Sequence, residues 1–342
     1  MKNSFKVLFR FLGALILGSW TFASYAVSTN VYIDSRLDAT KYNFEQKRTG
    51  THDYSAFEVN KARLGVKGEV VKGYTYHLRY AFENTADNHL VDNASNALEK
   101  AYVQGWFDDH WSMQFGKDYL KWGTREQYLN ETDVYTYSWA STNVSHYGTG
   151  VNLHYRNAGQ KYYISINNSD DANSTPAKQK NFHYMISWYG NIIPEVIYPH
   201  LSYSFRPIAG RKHPDHYFFF GSNFLLGDLN IELDGGFLKK DRFKYMSGMA
   251  KIQFNRHGEV RPFVKAIFDK KVLHSESHNK RTAGDVGFEF FPFEGQDIRY
   301  HIVYSGGYFA NDAVKDQNNE DYYQSSIRLG LKAGFDVIKG VF

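Results

Sequence analysis

The chain has 342 residues, a formal net charge of +4 at pH 7 and no cysteine. The absence of cysteine excludes a disulfide framework, a thiol nucleophile and thiolate metal ligands. Three of the positive charges lie in the first ten residues, so no overall basicity points to a nucleic-acid partner. Aromatic residues make up 18% of the chain, and Tyr and Trp suit the level of lipid headgroups.

Residues 1–26 have the pattern of a secretory signal peptide. Lys2, Lys6 and Arg10 form a basic region, and the apolar stretch 11–20 that follows is too short to span a bilayer as a helix. Ser24 and Ala26 place small residues at −3 and −1 of a cleavage site. The predicted domains are therefore a signal peptide at 1–26 and a mature domain at 27–342, whose net charge is +4 − 3 = +1. A retained membrane anchor is the alternative.

Short segments that alternate apolar and polar residues recur from residue 29 to the end of the chain. This alternation predicts strands near 29–41, 55–71, 73–84, 97–107, 110–117, 147–156, 160–168, 179–190, 195–206, 215–226, 228–238, 243–255, 259–270, 282–293, 296–305 and 323–336. Sixteen is an even number, as single-chain bacterial barrels require. We therefore predict an all-β fold, a closed antiparallel transmembrane β-barrel of about 16 strands in the outer membrane of a Gram-negative bacterium. A soluble sandwich or propeller is the alternative.

The connections alternate in length. Long links are predicted at 42–54, 85–96, 118–146 and 169–178, and short ones at Lys72, 108–109 and 157–159. Short periplasmic turns and longer outer loops are typical of such barrels. The pattern is less strict in the second half of the chain, where an error of one hairpin would change the count by two.

The charged residues of the strands lie on one face. In 73–84 the apolar set is Tyr74, Tyr76, Leu78, Tyr80 and Phe82, and the polar set is His77, Arg79 and Glu83. A charge facing lipid at the bilayer centre costs about 2–4 kcal/mol, so the charged face is predicted to line a wet lumen. A barrel of this size is wide enough for an aqueous channel.

The inward-facing charges are biased towards basic residues. The candidate channel-lining residues are Lys61, Arg63, Lys67, Arg79, Lys100, Arg156, Arg261, Lys265, Arg299 and Arg328, and Arg206, Lys251 and Lys332 share that face. The acidic residues assigned inward are Glu69, Glu83, Glu232, Asp234, Asp269, Asp285 and Glu289. Rings of Arg and Lys attract anions into a pore. A lumen of paired charges with little selectivity is the alternative.

The link 118–146 is the longest connection and falls in the third outer-loop position. Loops of this length are usually functional, and we expect this one to fold into the lumen and form a constriction. Its candidate residues are Lys117, Lys121, Arg125, Glu126, Glu131 and Asp133, and its aromatic residues could present a sliding surface to sugars. A surface loop that covers the barrel mouth is the alternative.

Two stretches resemble the phosphate-selective porin O and P family of Gram-negative bacteria. One is KARLGVKGEV at 61–70 with YTYHLRYAF at 74–82, and the other is FGK at 115–117 followed by WG at 122–123 and Glu126. The resemblance covers about residues 55–130 and implies a trimeric passive channel whose third loop folds inward. The terminal Phe342 looks like the signal read by the barrel-assembly machinery, although the strand pattern breaks near Gly334 and Phe335.

The sequence thus predicts a porin for passive diffusion of small hydrophilic solutes, with a preference for inorganic anions and with phosphate as one candidate. Its expected partners are outer-membrane lipid, these solutes, two further copies in a homotrimer and, through Phe342, the assembly machinery. We expect no cofactor, metal or catalytic residue and no nucleic acid. A barrel enzyme is one alternative, for which Ser145 and His146 are the only local pairing, and a non-conducting structural barrel is the other.

Overall fold

In the computed structural model, sixteen antiparallel strands close into one barrel, because β1 pairs with both β2 and β16. The structure describes residues 28–46, 50–83, 97–168, 182–208, 212–240, 243–255, 259–273, 278–311 and 321–341. The strands are β1 (Ser28–Gln46), β2 (Gly50–Val71), β3 (Tyr74–Ala81), β4 (Leu98–Trp106), β5 (Trp111–Tyr119), β6 (Tyr147–Asn157), β7 (Gln160–Asn168), β8 (Phe182–Tyr189), β9 (Ile197–Arg206), β10 (Asp215–Leu226), β11 (Leu229–Lys239), β12 (Phe243–Phe254), β13 (Val260–Leu273), β14 (His278–Phe290), β15 (Asp297–Asn311) and β16 (Tyr322–Val341). The predicted fold class and strand count are confirmed. The predicted signal peptide and Phe342 lie outside the described residues.

The wall is apolar outside and polar inside. In β8, Phe182 and Ile186 are exposed on the outer face, while His183 and Ser187 are buried on the inner face. Successive side chains of a strand point to opposite faces, so the side chains of each strand form one outer set and one inner set. Among the described residues, no helix is long and apolar enough to cross a membrane.

The predicted long link 42–54 is wrong, because β1 and β2 continue into it as a hairpin. Tyr42 pairs with Tyr54 in register, and their rings stack with centroids 4.6 Å apart. The sequence of 45–53 contains no apolar side chain, so it has no alternation by which a strand could be predicted.

The predicted end of the last strand near 336 is also wrong. β16 runs to Val341, and the register shifts where Val31 and Tyr32 pair with Ile338 and Asp336. This β-bulge inserts Val337 as an extra residue, so that Val337 and Ile338 are both exposed on the outer face. The bulge explains the break in the sequence pattern.

The two ends of the barrel differ. The end that carries Ser28 and Val341, called the turn end here, has short connections such as 72–73, 158–159 and 227–228. The opposite end, called the loop end, carries the segment 120–146. This segment contains helix α1 (Arg125–Tyr128), the 3-10 turn Glu131–Asp133 and helix α2 (Trp139–Thr142).

We expect Leu329→Arg to lower the free energy of unfolding by about 2–4 kcal/mol, because it places a charge on the lipid face near the middle of β16. The matched control is Val337→Arg, on the same face close to the turn end, where the cost falls to about 0–1 kcal/mol. Urea unfolding in lipid vesicles measures both values. Equal costs would contradict the assigned depth of the two residues.

Candidate functional site

The segment 120–146 has a defined structure because each of its short turns is capped by a side chain. Thr124 accepts a bond from the Gln127 N–H at α1, Asn130 accepts one from Thr132, and Ser138 accepts one from Ser141 at α2. Such caps satisfy backbone donors that have no partner within a short helix.

Two glycines of the resembling motifs allow this segment and the neighbouring strands to approach closely. Gly116 has a φ of +121°, and a Cβ there would lie 2.1 Å from the Ala101 carbonyl oxygen. Gly123 donates its N–H to the Ser202 hydroxyl at 2.8 Å, and a Cβ at this position would lie 2.3 Å from the Ser202 nitrogen. Any larger residue at either position would displace backbone.

An apolar cluster fixes the segment to the inner face of β8 and β10–β12. Trp122 is buried there, and its indole N–H donates to the Ser145 carbonyl at 2.9 Å. The cluster consists of Leu120, Trp122, Ala140, Val144, Met185, Tyr217, Phe219, Leu238 and Tyr245. Trp122 was one of the aromatic residues expected to offer a surface to sugars, and its burial rules out that role.

Three carboxylates of the segment form ion pairs with cations of the strands. Glu126 is bound by Lys265 at 2.7 Å, in a pair that is almost fully buried. Glu131 is bound by Arg63 at 2.6 Å and Lys61 at 2.9 Å. Asp133 pairs with Arg299 at 2.9 Å and with Lys332 at 2.7 Å. Seven of the predicted site residues are therefore joined in direct contacts, namely the strand residues Lys61, Arg63, Lys265 and Arg299 and the segment residues Glu126, Glu131 and Asp133. Lys332, which shares the inner face with these cations, joins them through Asp133.

These contacts keep the carboxylates ionised. Burial alone would raise the pKa of Glu131, but the bond from His146 and the charges of Arg63 and Lys61 outweigh it and hold the pKa well below its usual range. Burial likewise opposes ionisation of Glu126 and Asp133, and the cations of Lys265 and Arg299 lower the pKa of their respective partners.

Backbone groups of the segment are bound by further strand side chains. Arg36 donates to the carbonyls of Thr132 and Val134, and Arg281 donates to that of Tyr137. Asp234 accepts the N–H groups of Arg125 and Glu126 at 2.6 and 2.8 Å. The sequence interpretation missed Arg36 and Arg281, although Arg36 alternates with Asp34 and Asp38 along β1 as an inward-facing series should.

The remaining predicted residues are spread more widely. Arg328 donates to the Ser305 hydroxyl, and Lys117 is buried in β5. The Lys67 amine lies 5.1 Å from the ring centroid of Tyr32. Near the turn end, the guanidiniums of Arg156 and Arg261 stack on Trp106 and Phe291 at 3.8 and 4.0 Å.

Two cavities lie between the segment and the wall formed by β3–β10. The upper cavity, of about 420 Å³, is lined by Arg79, Lys100, Lys121 and Glu131 among others. The lower cavity, of about 430 Å³, is nearer the turn end and is lined by Arg125, Lys161, His200 and Asn223 among others. Both cavities share Tyr128, Tyr163 and Tyr189, so these three side chains form a boundary between them.

The cations around these cavities are more exposed than the carboxylates that they pair with. The Lys121 side chain is 24% exposed and that of Lys100 is 18% exposed, but the carboxylate of their common partner Asp118 is only 4% exposed. Arg79 and Arg125 stand in the same relation to Glu99 and Glu232. In these four pairs the cation is therefore the more accessible partner, and the carboxylate is buried.

The segment does not contain a nucleophile–base pair at Ser145 and His146. The His146 ring contacts Glu131 through Nδ1 at 3.4 Å and the Ser141 carbonyl through Nε2 at 3.3 Å. Within the described part of the chain, no three His, Asp or Glu side chains are grouped so that they could hold a metal ion.

Residues 30–191 match the family model of phosphate-selective porins O and P. The resemblance predicted from the sequence is thereby confirmed over these residues. A search of curated proteins found no match. Among solved structures, the chain is similar to OmpT of Vibrio cholerae, with 11% identity, a TM-score of 0.61 and coverage of 92% of this chain and 99% of that one. It is also similar to an anion-selective porin from Comamonas acidovorans, with 12% identity, a TM-score of 0.61 and coverage of 90% and 100%.

The outer membrane channel DcaP of Acinetobacter baumannii gives a similar result, with 14% identity, a TM-score of 0.61 and coverage of 92% and 99%. At these identities the likeness to solved structures establishes the fold. Together, the family match and the barrel indicate a channel in the outer membrane of a Gram-negative bacterium.

We expect Glu131→Gln to lower the free energy of unfolding by about 1.5–3 kcal/mol at pH 7, because hydrogen bonds from Arg63 and Lys61 lose a charged acceptor. The folded-state pKa of Glu131 is depressed, so its contribution is fully present above the ordinary Glu pKa of about 4.3 and is lost as the pH falls through the folded-state pKa.

The difference in stability between wild type and Glu131→Gln should therefore be constant from pH 5 to 8 and should shrink below about pH 4. Urea unfolding across this range measures it. Glu45→Gln, at an exposed position near the loop end of β1, is the control and should change little. A difference that grows on acidification would contradict the assigned ion pairs.

Proposed function

We propose that the protein is a porin through which small hydrophilic solutes cross the outer membrane by passive diffusion, with a preference for anions. The observation that carries the proposal is the arrangement of charge around the two cavities, where cations are partly exposed and their partner carboxylates are buried. Exposed cations in a low-dielectric wall attract anions and repel cations.

The segment 120–146 would lie across the barrel interior and set the size limit of the passage. Support comes from the distribution of its contacts, since side chains of β1, β2, β9, β11, β13 and β15 all bind it. Strands on opposite sides of a closed barrel can reach one segment only through the space that they enclose. The upper and lower cavities would then be the open part of the passage, along β3–β10.

The mechanism is electrodiffusion and involves no covalent step. An anion entering from the loop end would meet Arg79, Lys100 and Lys121 and then pass the three shared tyrosines. It would continue past Arg125 and Lys161 towards the periplasm. Phosphate fits the charge of this route, as do other small anions.

We further propose that the protein assembles as a homotrimer. One solved OmpT of Vibrio cholerae is described as a trimer form, with 10% identity and a TM-score of 0.56. The apolar outer face is suited to packing against further copies as well as against lipid. The mass of the detergent-solubilised protein should equal three chains, and the mass of one chain would contradict this proposal.

The anion preference is tested by the zero-current potential of the protein in a planar bilayer under a KCl gradient. We expect an anion-selective sign for wild type. The double variant Lys121→Gln/Lys161→Gln removes one cation from each cavity, and the ratio of chloride to potassium permeability should fall about 2- to 5-fold, since a unit charge at 4 Å in water is worth about 1 kcal/mol.

The matched control is Lys72→Gln/Lys244→Gln, which removes two exposed cations outside both cavities and should leave the ratio unchanged. A cation-selective wild type would overturn the anion preference. A lack of conductance from protein shown to be folded would overturn the channel.

A further inference from the structure

The lower cavity contains a guanidinium and an aromatic ring that are presented together. Arg125 and Tyr128 lie three residues apart on α1, hence on the same face of the helix. The Arg125 guanidinium carbon is 5.3 Å from the ring centroid of Tyr128. The Tyr128 side chain is 54% exposed, which is high for an aromatic residue in a segment fixed by so many contacts.

The Arg125 guanidinium has more hydrogen-bond donors than its contacts in the described part of the chain use. In the described part of the chain its side chain forms one ion pair, a 3.4 Å contact from Nε to Glu232. Its two terminal amino groups therefore remain for a ligand in the cavity, and this pair of donors matches a carboxylate in bidentate geometry. The second cation lining the cavity, Lys161, is exposed and comes from β7.

Several rings also line this cavity. Tyr189 lies 5.5 Å from Tyr128 and 5.4 Å from Tyr163, and His200 lies 5.1 Å from Tyr128. The Tyr189 hydroxyl donates to the Trp122 carbonyl at 2.7 Å, which ties this ring to the buried apolar cluster. A planar ring gains from packing against such faces, whereas a small inorganic anion does not.

The volume agrees with a ligand of moderate size. The lower cavity measures about 430 Å³, within the usual range of about 300–1,000 Å³ for small-molecule sites. Sites of this kind combine apolar walls with a few polar groups that fix orientation, and here Arg125 and Lys161 supply those groups.

We propose that the lower cavity is a binding site for aromatic monocarboxylates of about the size of benzoate. The carboxylate binds the terminal amino groups of Arg125, and the ring packs against Tyr128 and the neighbouring tyrosines. The inference rests on the proposed channel function, because the ligand reaches the site through the pore, and it adds a solute class that the charge pattern alone does not specify.

The experiment measures block of the chloride current through single channels in KCl when sodium benzoate is added. Acetate probes the carboxylate without the ring, and benzamide probes the ring without the charge. We expect a saturable block by benzoate and at least about tenfold weaker block by acetate and benzamide, since both contacts contribute.

The variants separate the two contacts, each compared with its own unblocked current. Tyr128→Leu keeps a bulky side chain without the ring and should weaken block about 2- to 12-fold, the range expected for one aromatic contact. The Tyr128→Phe channel should be blocked by benzoate as strongly as wild type is. The Arg125→Gln channel should lose most of its block by benzoate. Tyr162→Leu, on the outer face of β7, is the matched control and should behave as wild type.

Equal block by acetate and benzoate would overturn the inference, because charge alone would then explain binding. Block of wild type by benzamide as strong as by benzoate would overturn the inference as well. Block of the Tyr128→Leu channel by benzoate as strong as that of wild type would also overturn it. Absence of block from a channel that still conducts with anion selectivity would overturn the site and leave the proposed function intact. Absence of current from folded protein would overturn the proposed function instead.

Discussion

The structure depends on the closure of the hydrogen-bond ladder between β1 and β16. Lipid offers no partner for a backbone N–H or C=O, so an open sheet edge within a bilayer would carry a large free-energy cost. The pairing of Ser28–Gln46 with Tyr322–Val341 removes both edges at once. Closure also creates an enclosed inner surface, and the charged residues of every strand can then lie out of contact with lipid.

The inner surface is not simply basic. On the side of β13, β15 and β16, Lys265, Arg299 and Lys332 are buried and bind carboxylates of the segment 120–146. On the side of β3–β5, cations such as Lys100 are partly exposed and pair with a buried carboxylate. Cations of the first group therefore serve structure, and those of the second group are the ones that the proposed function assigns to solutes. Counting charges on the lumen face could not separate these two roles.

Alternation of apolar and polar residues predicts a strand well where one face of the strand meets lipid and the other meets the polar interior. It predicted the exact bounds of β7 and β10, whose outer faces carry apolar runs such as Tyr162, Ile164 and Ile166. It failed where the sequence has no apolar side chain, as at 45–53, and where the bulge at Val337 interrupts the alternation. The run of Phe218, Phe219 and Phe220 illustrates a further limit, since nothing in it shows that Phe219 faces inward to meet Trp122.

The candidate site was predictable as a set of residues but not as a set of contacts. Position along a strand indicates that Arg63 and Lys265 face inward, and the length of 118–146 marks that link as functional. The pairing of Arg63 with Glu131 and of Lys265 with Glu126 depends on the path of the segment, for which the sequence has no periodic signal. The tyrosine boundary arises in the same way, from residues of one segment and two strands.

The contacts of the segment also bear on how the chain assembles. Asp133 binds Lys332 across 199 residues of sequence, and Thr132 accepts a bond from Arg36 across 96. The first of these bonds cannot form until the last strand is in place, so the segment completes its docking late in folding. Contacts of such long separation form slowly, and until then the carboxylates of the segment stay hydrated. Final docking of the segment is therefore a late event, in which its carboxylates lose water as they meet the cations of the strands.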